Sequence, residues 1–163
     1  MLRLKLIAAA ISMASCACLA QNFPVDPTWQ ENQIPAPAAL RLEGLIALAM
    51  PVTDLRFAVD PTSITVGSDG VVRYVVTATS SSGTINAMYE GIRCATAEVK
   101  LYARHVPTKG WSPTMDEPWR SLHELPRGRH SLLIAREGAC TGRVPKGSAN
   151  EIVQSLKSGY SGR

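Results

Sequence analysis

The clearest β pattern in the chain runs from Val71 to Thr79, where valine, tyrosine and threonine crowd a stretch bounded by Gly67-Ser68-Asp69-Gly70 and Ser80-Ser81-Ser82-Gly83. Branched and aromatic side chains suit a pleated, half-buried surface, and Gly, Ser and Asp clusters suit tight turns. Ile85 to Cys94 returns as a second strand, in a hairpin with the first. From Ala97 to His105, Val99 and Leu101 alternate with Lys100 and Tyr102, the pattern of a two-faced strand. Leu55 to Val59 and Ser63 to Val66 are shorter candidates upstream, and Ser131 to Arg136 reads as a last short strand leading to Cys140. Between Gly110 and Leu125 lie Trp111 and Trp119 among prolines and turn residues.

The C-terminal pattern changes period. Ser148-Ala149-Asn150-Glu151 is a capping box, and Ile152, Val153 and Leu156 then fall on one helical face. Lys157 stands in the last turn, where it favours the dipole, and Gly159 suits a left-handed stop. The sum is an α+β chain: a single small domain, an antiparallel β-sheet with a C-terminal helix packed on it, over residues 53–163.

Residues 21–52 carry Pro24, Pro27, Pro35, Pro37 and Pro51 and read as an extended leader. Ile34-Pro35-Ala36-Pro37 favours polyproline-like geometry, because each residue before a proline is pushed out of the helical region. Ala38 to Ala49 holds good helix formers and predicts a short helix. Trp29 is too large to leave loose and is expected to dock on the main domain.

Residues 1–20 have the three parts of a secretory signal peptide: Arg3 and Lys5, an apolar run from Leu6 to Ala14, and a small-x-small exit at Cys18-Leu19-Ala20. The run is about nine residues, and a membrane-spanning helix needs about twenty, so the segment directs export without spanning. No later stretch is apolar enough to span. Two cleavage points compete. One follows Ala20. The other precedes Cys16, with Met13-Ala14-Ser15-Cys16 as a lipobox and Cys16 as a lipid anchor. The first is favoured, because Met13 substitutes poorly for leucine and because the second leaves Cys18 as an odd thiol.

Export changes the reading of charge and cysteine. Loss of Arg3 and Lys5 lowers the net charge from +4 to +2, and no basic stripe with interleaved aromatics remains, so nucleic acid is not an expected partner. The most basic stretch, Arg127-Gly128-Arg129-His130, reads as a solvated turn. Of the four cysteines, two lie in the signal, and Cys94 and Cys140 form an even pair that reads as a disulfide in an oxidising compartment.

Three segments carry a resemblance: Phe57-Ala58-Val59-Asp60, Ser63 through Gly70-Val71-Val72-Arg73-Tyr74, and Ser82 through Tyr89-Glu90-Gly91-Ile92-Arg93-Cys94. They resemble the CNP-like family, exported proteobacterial proteins named after a cryptic neisserial protein. Gly-Val-Val-Arg-Tyr and Tyr-Glu-Gly-Ile-Arg-Cys are its most specific marks, and Trp29, Leu101-Tyr102-Ala103, Trp111, Trp119 and Cys140 also fall in place. The spacing is looser over residues 37–53. The resemblance implies a small envelope protein with a signal peptide, and it carries no activity over.

The candidate site is built on Tyr89-Glu90-Gly91-Ile92-Arg93-Cys94. On a strand Glu90, Ile92 and Cys94 share one face, and Tyr89, Gly91 and Arg93 the other. A carboxylate facing the core needs a partner, and Arg73 on the neighbouring strand, or Arg93, is the expected one. Glu90, Arg93, Arg73, Tyr89 and Trp111 are thus the candidate ligand-binding residues, with a structural ion pair as the competing reading. Gly91 suggests a bulge, or close packing against an aromatic such as Trp111. Trp111, Pro113, Pro118 and Trp119 form either an aromatic groove or a lid on a sheet edge.

His105, His123 and His130, each read as a loop or strand-end residue, match no metal motif, and no nucleophile elbow or phosphate loop is present. No cofactor and no metal are expected. The functional expectation is a non-catalytic binding or accessory module of the cell envelope, with an envelope protein or glycan as partner. A lipoprotein held through Cys16, and an envelope enzyme using Glu90, are the alternatives.

Overall fold

The computed structural model describes residues 26–33, 39–50, 53–124 and 129–161. Residues 1–20, read above as a signal peptide, and Ile34 to Pro37, Arg127 and Gly128 lie outside the described residues. In chain order the strands are β1 (Ile46–Ala47), β2 (Arg56–Val59), β3 (Thr65–Val66), β4 (Val71–Thr79), β5 (Ile85–Arg93), β6 (Glu98–Val106), β7 (Gly110–Pro113), β8 (Arg120–Ser121), β9 (Cys140–Thr141) and β10 (Val144–Pro145). The helices are α1 (Arg129–Ile134), continued by a π-helical turn at Ala135–Ala139, and α2 (Ala149–Ser161).

Among the described residues eight strands make one antiparallel sheet in the order β1-β2-β4-β5-β6-β7. Strand β3 shares the edge of β4 with β2, and β8 shares the edge of β6 with β7. Strand β4 is buried along almost its whole length on both faces, which is what its near-continuous run of valines requires. Its hairpin with β5 runs in unbroken register from Thr79↔Ile85 to Val71↔Arg93. The turn closes with the Gly83 amide donating to the Ser80 carbonyl at 3.0 Å, and Gly83 takes a φ of +84° that other residues avoid.

One sheet face carries the main core. Val72, Tyr74, Val76 and Ile92 pack there under Ile134, Ala135, Ala139, Ile152 and Leu156. Gly138 lets α2 approach: a Cβ on it would stand 2.5 Å from the side chain of Leu156. The Cys94–Cys140 disulfide pins the end of this layer to the sheet, with Cα atoms 5.7 Å apart. The other face carries a smaller cluster of Val75, Tyr89 and Ala103, covered in part by Leu40, Tyr102 and Trp111.

The architecture is the expected α+β domain, with four departures. No helix lies in the described residues 39–50; Ile46 is buried and β1 pairs with β2, while Gly44 at φ +69° interrupts any helical run. Ser131 to Arg136 is helical, not extended. Burial falls on His130, Ser131, Ile134, Ala135, Gly138 and Ala139, a helical and not a two-residue period. His130, assigned to a solvated turn, is therefore a buried helix residue at 6% exposure. Helix α2 runs through Gly159 to Ser161, and the glycine serves packing and not termination, since a Cβ on it would stand 3.0 Å from Glu137 Oε2. The capping box holds by half: Ser148 Oγ accepts from the Glu151 amide, but Glu151 accepts from Gly147 instead of Ser148.

Candidate functional site

Glu90 faces the helical layer, as the strand alternation requires, but the side chains around it are not the arginines. Tyr74 lies directly opposite on β4 and donates its hydroxyl to Glu90 Oε2 at 3.0 Å. Ser131 on α1 donates to the same oxygen at 3.1 Å. Nε2 of His130 lies 3.1 Å from both carboxylate oxygens. An ionised carboxylate only accepts, so Nε2 carries a proton towards Glu90. Phe57 on β2 stacks on the imidazole with ring centroids 4.7 Å apart, and Nδ1 of His130 has no hydrogen-bond partner among the described residues.

Burial pushes the Glu90 carboxyl upward. The charge of His130 and the hydrogen bonds from His130, Tyr74 and Ser131 outweigh it and hold the group below its ordinary value of 4.5. Burial, and then the charge of Glu90, push the Tyr74 phenol well above its ordinary value, so it stays a donor. A cleft of about 250 Å³ adjoins this cluster, with Leu101, Arg104 and Arg120 among its walls. Ser131 points its hydroxyl at a carboxylate and not at the imidazole, so the three side chains lack the nucleophile-to-base contact of an acyl-transfer site.

Arg73 and Arg93 lie on the opposite face. Arg73 pairs with Asp69 in the β3–β4 turn (Nη1 to Oδ1, 3.2 Å), with both side chains almost wholly buried. Gly67 is required here, since a Cβ on it would stand 2.2 Å from Asp69 Oδ1. Asp69 also accepts the amides of Val71 and Asn32. Arg93 lies against Trp29, its guanidinium 3.6 Å from the ring centroid. Tyr89 and Trp111 share this face, so the structure gathers four of the five candidate residues on one side of the sheet and leaves Glu90 alone on the other.

What these four join is a continuous line of rings. Trp29 meets Trp119 at 6.0 Å, Trp119 meets Tyr102 at 6.4 Å, and Tyr102 meets Tyr89 at 5.6 Å. Tyr89 then meets Trp111 at 6.5 Å, and Trp111 meets His105 at 5.3 Å, mostly edge to face. A slip in the β5–β6 ladder between Tyr89 and Glu90 leaves Tyr102 without a register partner. Its ring lies over Gly91, whose missing side chain makes room: a Cβ there would stand 2.7 Å from Tyr102 Cε2. Of the two expectations at Gly91, aromatic packing is present, with Tyr102 in the place assigned to Trp111, while the bulge falls between Tyr89 and Glu90 and Gly91 itself stays in register with Lys100.

Residues 26–33 cross one end of this face. Trp29 Nε1 donates to the Asp69 carbonyl at 2.8 Å, and Glu31 accepts from Lys100 at 2.9 Å and from Tyr102 at 2.6 Å. The docking of Trp29 is as expected. Tyr74 opposite Glu90 was within reach of sequence reasoning, because the Ser80–Gly83 turn sets the hairpin register. His130 and Ser131 were not, since their segment reads as turn and strand. Glu31 had no signal beyond its distance of two residues from a tryptophan.

Among the described residues no group of three or more His, Cys, Asp or Glu is placed to hold a metal ion, and no helix is long and apolar enough to cross a membrane. The model of the CNP1-like family matches residues 25–157. No curated protein and no solved structure matches the chain.

Proposed function

The chain belongs to the CNP1-like family, and on that premise we propose that it is an exported, non-catalytic module of the bacterial cell envelope. In this reading it binds another envelope component through the ring-bearing face of its sheet. The observation that carries the reading is the line of six rings, bordered by Arg93 and Lys100 and left uncovered by both helices. Five of the six rings are partly buried and Tyr89 is buried beneath them; partly exposed aromatic and cationic side chains in one patch are the composition of recognition surfaces.

Export is supported by the signal-like residues 1–20 and by the Cys94–Cys140 bridge, a bond that persists in oxidising compartments. The non-catalytic half is supported by the state of Glu90. A general base works best with a pKa near the operating pH and a lone pair aimed at substrate. Glu90 is instead held ionised, with both oxygens in hydrogen bonds to neighbouring side chains.

Two measurements test the proposal. The first is the intact mass of the protein recovered from its own bacterial envelope, alkylated without reduction. The expected mass is that of Gln21 to Arg163 less two hydrogens and without an alkyl group. A mass beginning at Cys16 and carrying lipid moves the protein to a membrane, and an uncleaved, alkylated chain removes the export reading. The second compares envelope components retained by the wild-type protein and by Trp111→Ala. Equal retention by a folded variant counts against the ring-bearing face.

A further inference from the structure

Residues 26–33 touch the domain in a pattern that itself resembles ligand recognition. Trp29 and Glu31 are half-buried, while Gln30 and Asn32 between and beside them are exposed. Side chains two apart on an extended chain point the same way, so the indole and the carboxylate make the part-buried contacts, with the exposed Asn32 bonding Asp69 and Ser68 beside them. The receiving groups belong to β5, β6, the β3–β4 turn and the residue before β8. Arg93 on β5 lies against the indole face and the Asp69 carbonyl takes its N–H. Lys100 and Tyr102 on β6 hold the carboxylate, and Asp69 Oδ2 takes the Asn32 amide.

Two of these receptors are placed by contacts outside residues 26–33. Tyr102 is set by the ladder slip and by Gly91, and Asp69 is locked by Arg73 and the Val71 amide. The polar contacts from residues 26–33 to the sheet come from Trp29, Glu31 and Asn32. The Lys100–Glu31 pair keeps about a fifth to a quarter of its side-chain surface in water. Partly exposed pairs hold a segment weakly, and segments with few buried contacts open before strands do. A receptor with Tyr102 and Asp69 already in place therefore carries an occupant held at a partly exposed edge.

We infer that this end of the sheet is a docking site for an extended partner segment bearing an indole and, two residues on, a carboxylate, and that the chain's own Trp29–Glu31 occupies it in the free protein. The inference rests on the binding function proposed above and names the chemistry of the partner. Arg93 and Lys100 give the site positive character, so an acidic aromatic segment suits it and a basic one does not.

The test uses the disulfide-closed protein and, as probe, a fluorescently labelled, end-blocked peptide of residues 26–33. The double variant Trp29→Ala/Glu31→Ala should bind the probe at least about tenfold more tightly than wild type, because a tethered copy competes at an effective concentration of order millimolar. Adding Lys100→Ala to the variant, or replacing the probe's tryptophan by alanine, should abolish most of that gain. In wild type, probe at several times that millimolar order should move the NMR resonance of the Trp29 indole N–H, which is bonded to Asp69 in the free protein. The wild-type experiment stands even where the double variant folds poorly.

An unmoved indole resonance in wild type overturns the inference, as does binding insensitive to Lys100 or to the probe's tryptophan. A dimer formed by exchange of residues 26–33 between copies also overturns it, since the occupant would then be a second copy. Failure of the peptide with retained, Trp111-dependent envelope binding overturns this inference alone, whereas loss of both overturns the proposed function.

Discussion

Nε2 of His130 sits 3.1 Å from each oxygen of Glu90, with both residues 6% exposed. Buried carboxylates survive where donors surround them, and here the donors come from β4 and from two successive residues of α1. The contact joins the sheet to the helical layer.

Glu90→Gln keeps the shape of the side chain but turns one acceptor into a donor facing Tyr74, Ser131 and His130. Removing one partner from a buried pair costs about 3–5 kcal/mol. The urea midpoint of unfolding should fall accordingly, with the slope unchanged. Tyr74→Phe removes one hydrogen bond to a charged group and should cost about 1.5–3 kcal/mol. An unchanged midpoint in both variants would mean that the cluster does not hold the layers together.

Acid should weaken the fold in a defined window. At Glu90, Glu31 and Asp69 burial raises the carboxyl, but hydrogen bonds and nearby cations prevail and hold each below its ordinary value, 4.5 for the glutamates and 3.8 for the aspartate. A depressed group contributes its full stability above the ordinary value and loses it as pH falls through the lower, folded value. Urea midpoints should be level from neutrality down to about pH 5 and decline below about 4.5. Glu90→Gln should show a shallower decline than wild type. A steeper one would contradict the assignment.

The Cys94–Cys140 bridge spans 46 residues of chain that include β6, β7, β8 and α1. Closing a loop of this length stabilises by about 4 kcal/mol in the chain-entropy description. Cys94→Ser/Cys140→Ser should lose a large part of a small domain's total of about 5–15 kcal/mol. Thermal unfolding with and without reductant checks it. Equal midpoints would mean that the helical layer holds without the bridge.

Gly91→Ala places a methyl group 2.7 Å from Tyr102 Cε2 and 2.9 Å from a Val71 methyl. Val71 is wholly buried, so Tyr102 must move. Overpacking of this kind costs about 1–3 kcal/mol. Because Tyr102 also holds Glu31, the tryptophan emission should shift to the red as Trp29 loosens. A stable variant with unaltered emission would show that the Tyr102 ring can yield without releasing the segment.

Much of the fold was legible because local signals agreed. The long hairpin was bounded by its turns, and β4 and β5 begin or end within a residue of where β-branched runs and Gly-Ser clusters place them. Helix α2 announced itself through its Ser148 cap and the Ile152–Leu156 spacing. The short run at Ser131 failed for a physical reason: four consecutive apolar residues fit a buried helix turn as well as a strand, and only contact with α2 and the sheet chooses between them.

Sequence alone determined the alternation that puts Glu90 inward with Cys94 and turns Tyr89 and Arg93 the other way, because side chains on a strand cannot do otherwise. It also determined the need for a small residue at position 91 and the pairing of two cysteines. The tertiary structure decided who meets whom. Arg73 found Asp69 four residues away, Glu90 took a histidine forty residues on, and Trp29 with Glu31 reached a face built from β5 and β6. Such partners are selected by the three-dimensional closure of layers, where burial makes any charge left without a partner costly, and no local spacing in the chain encodes that closure.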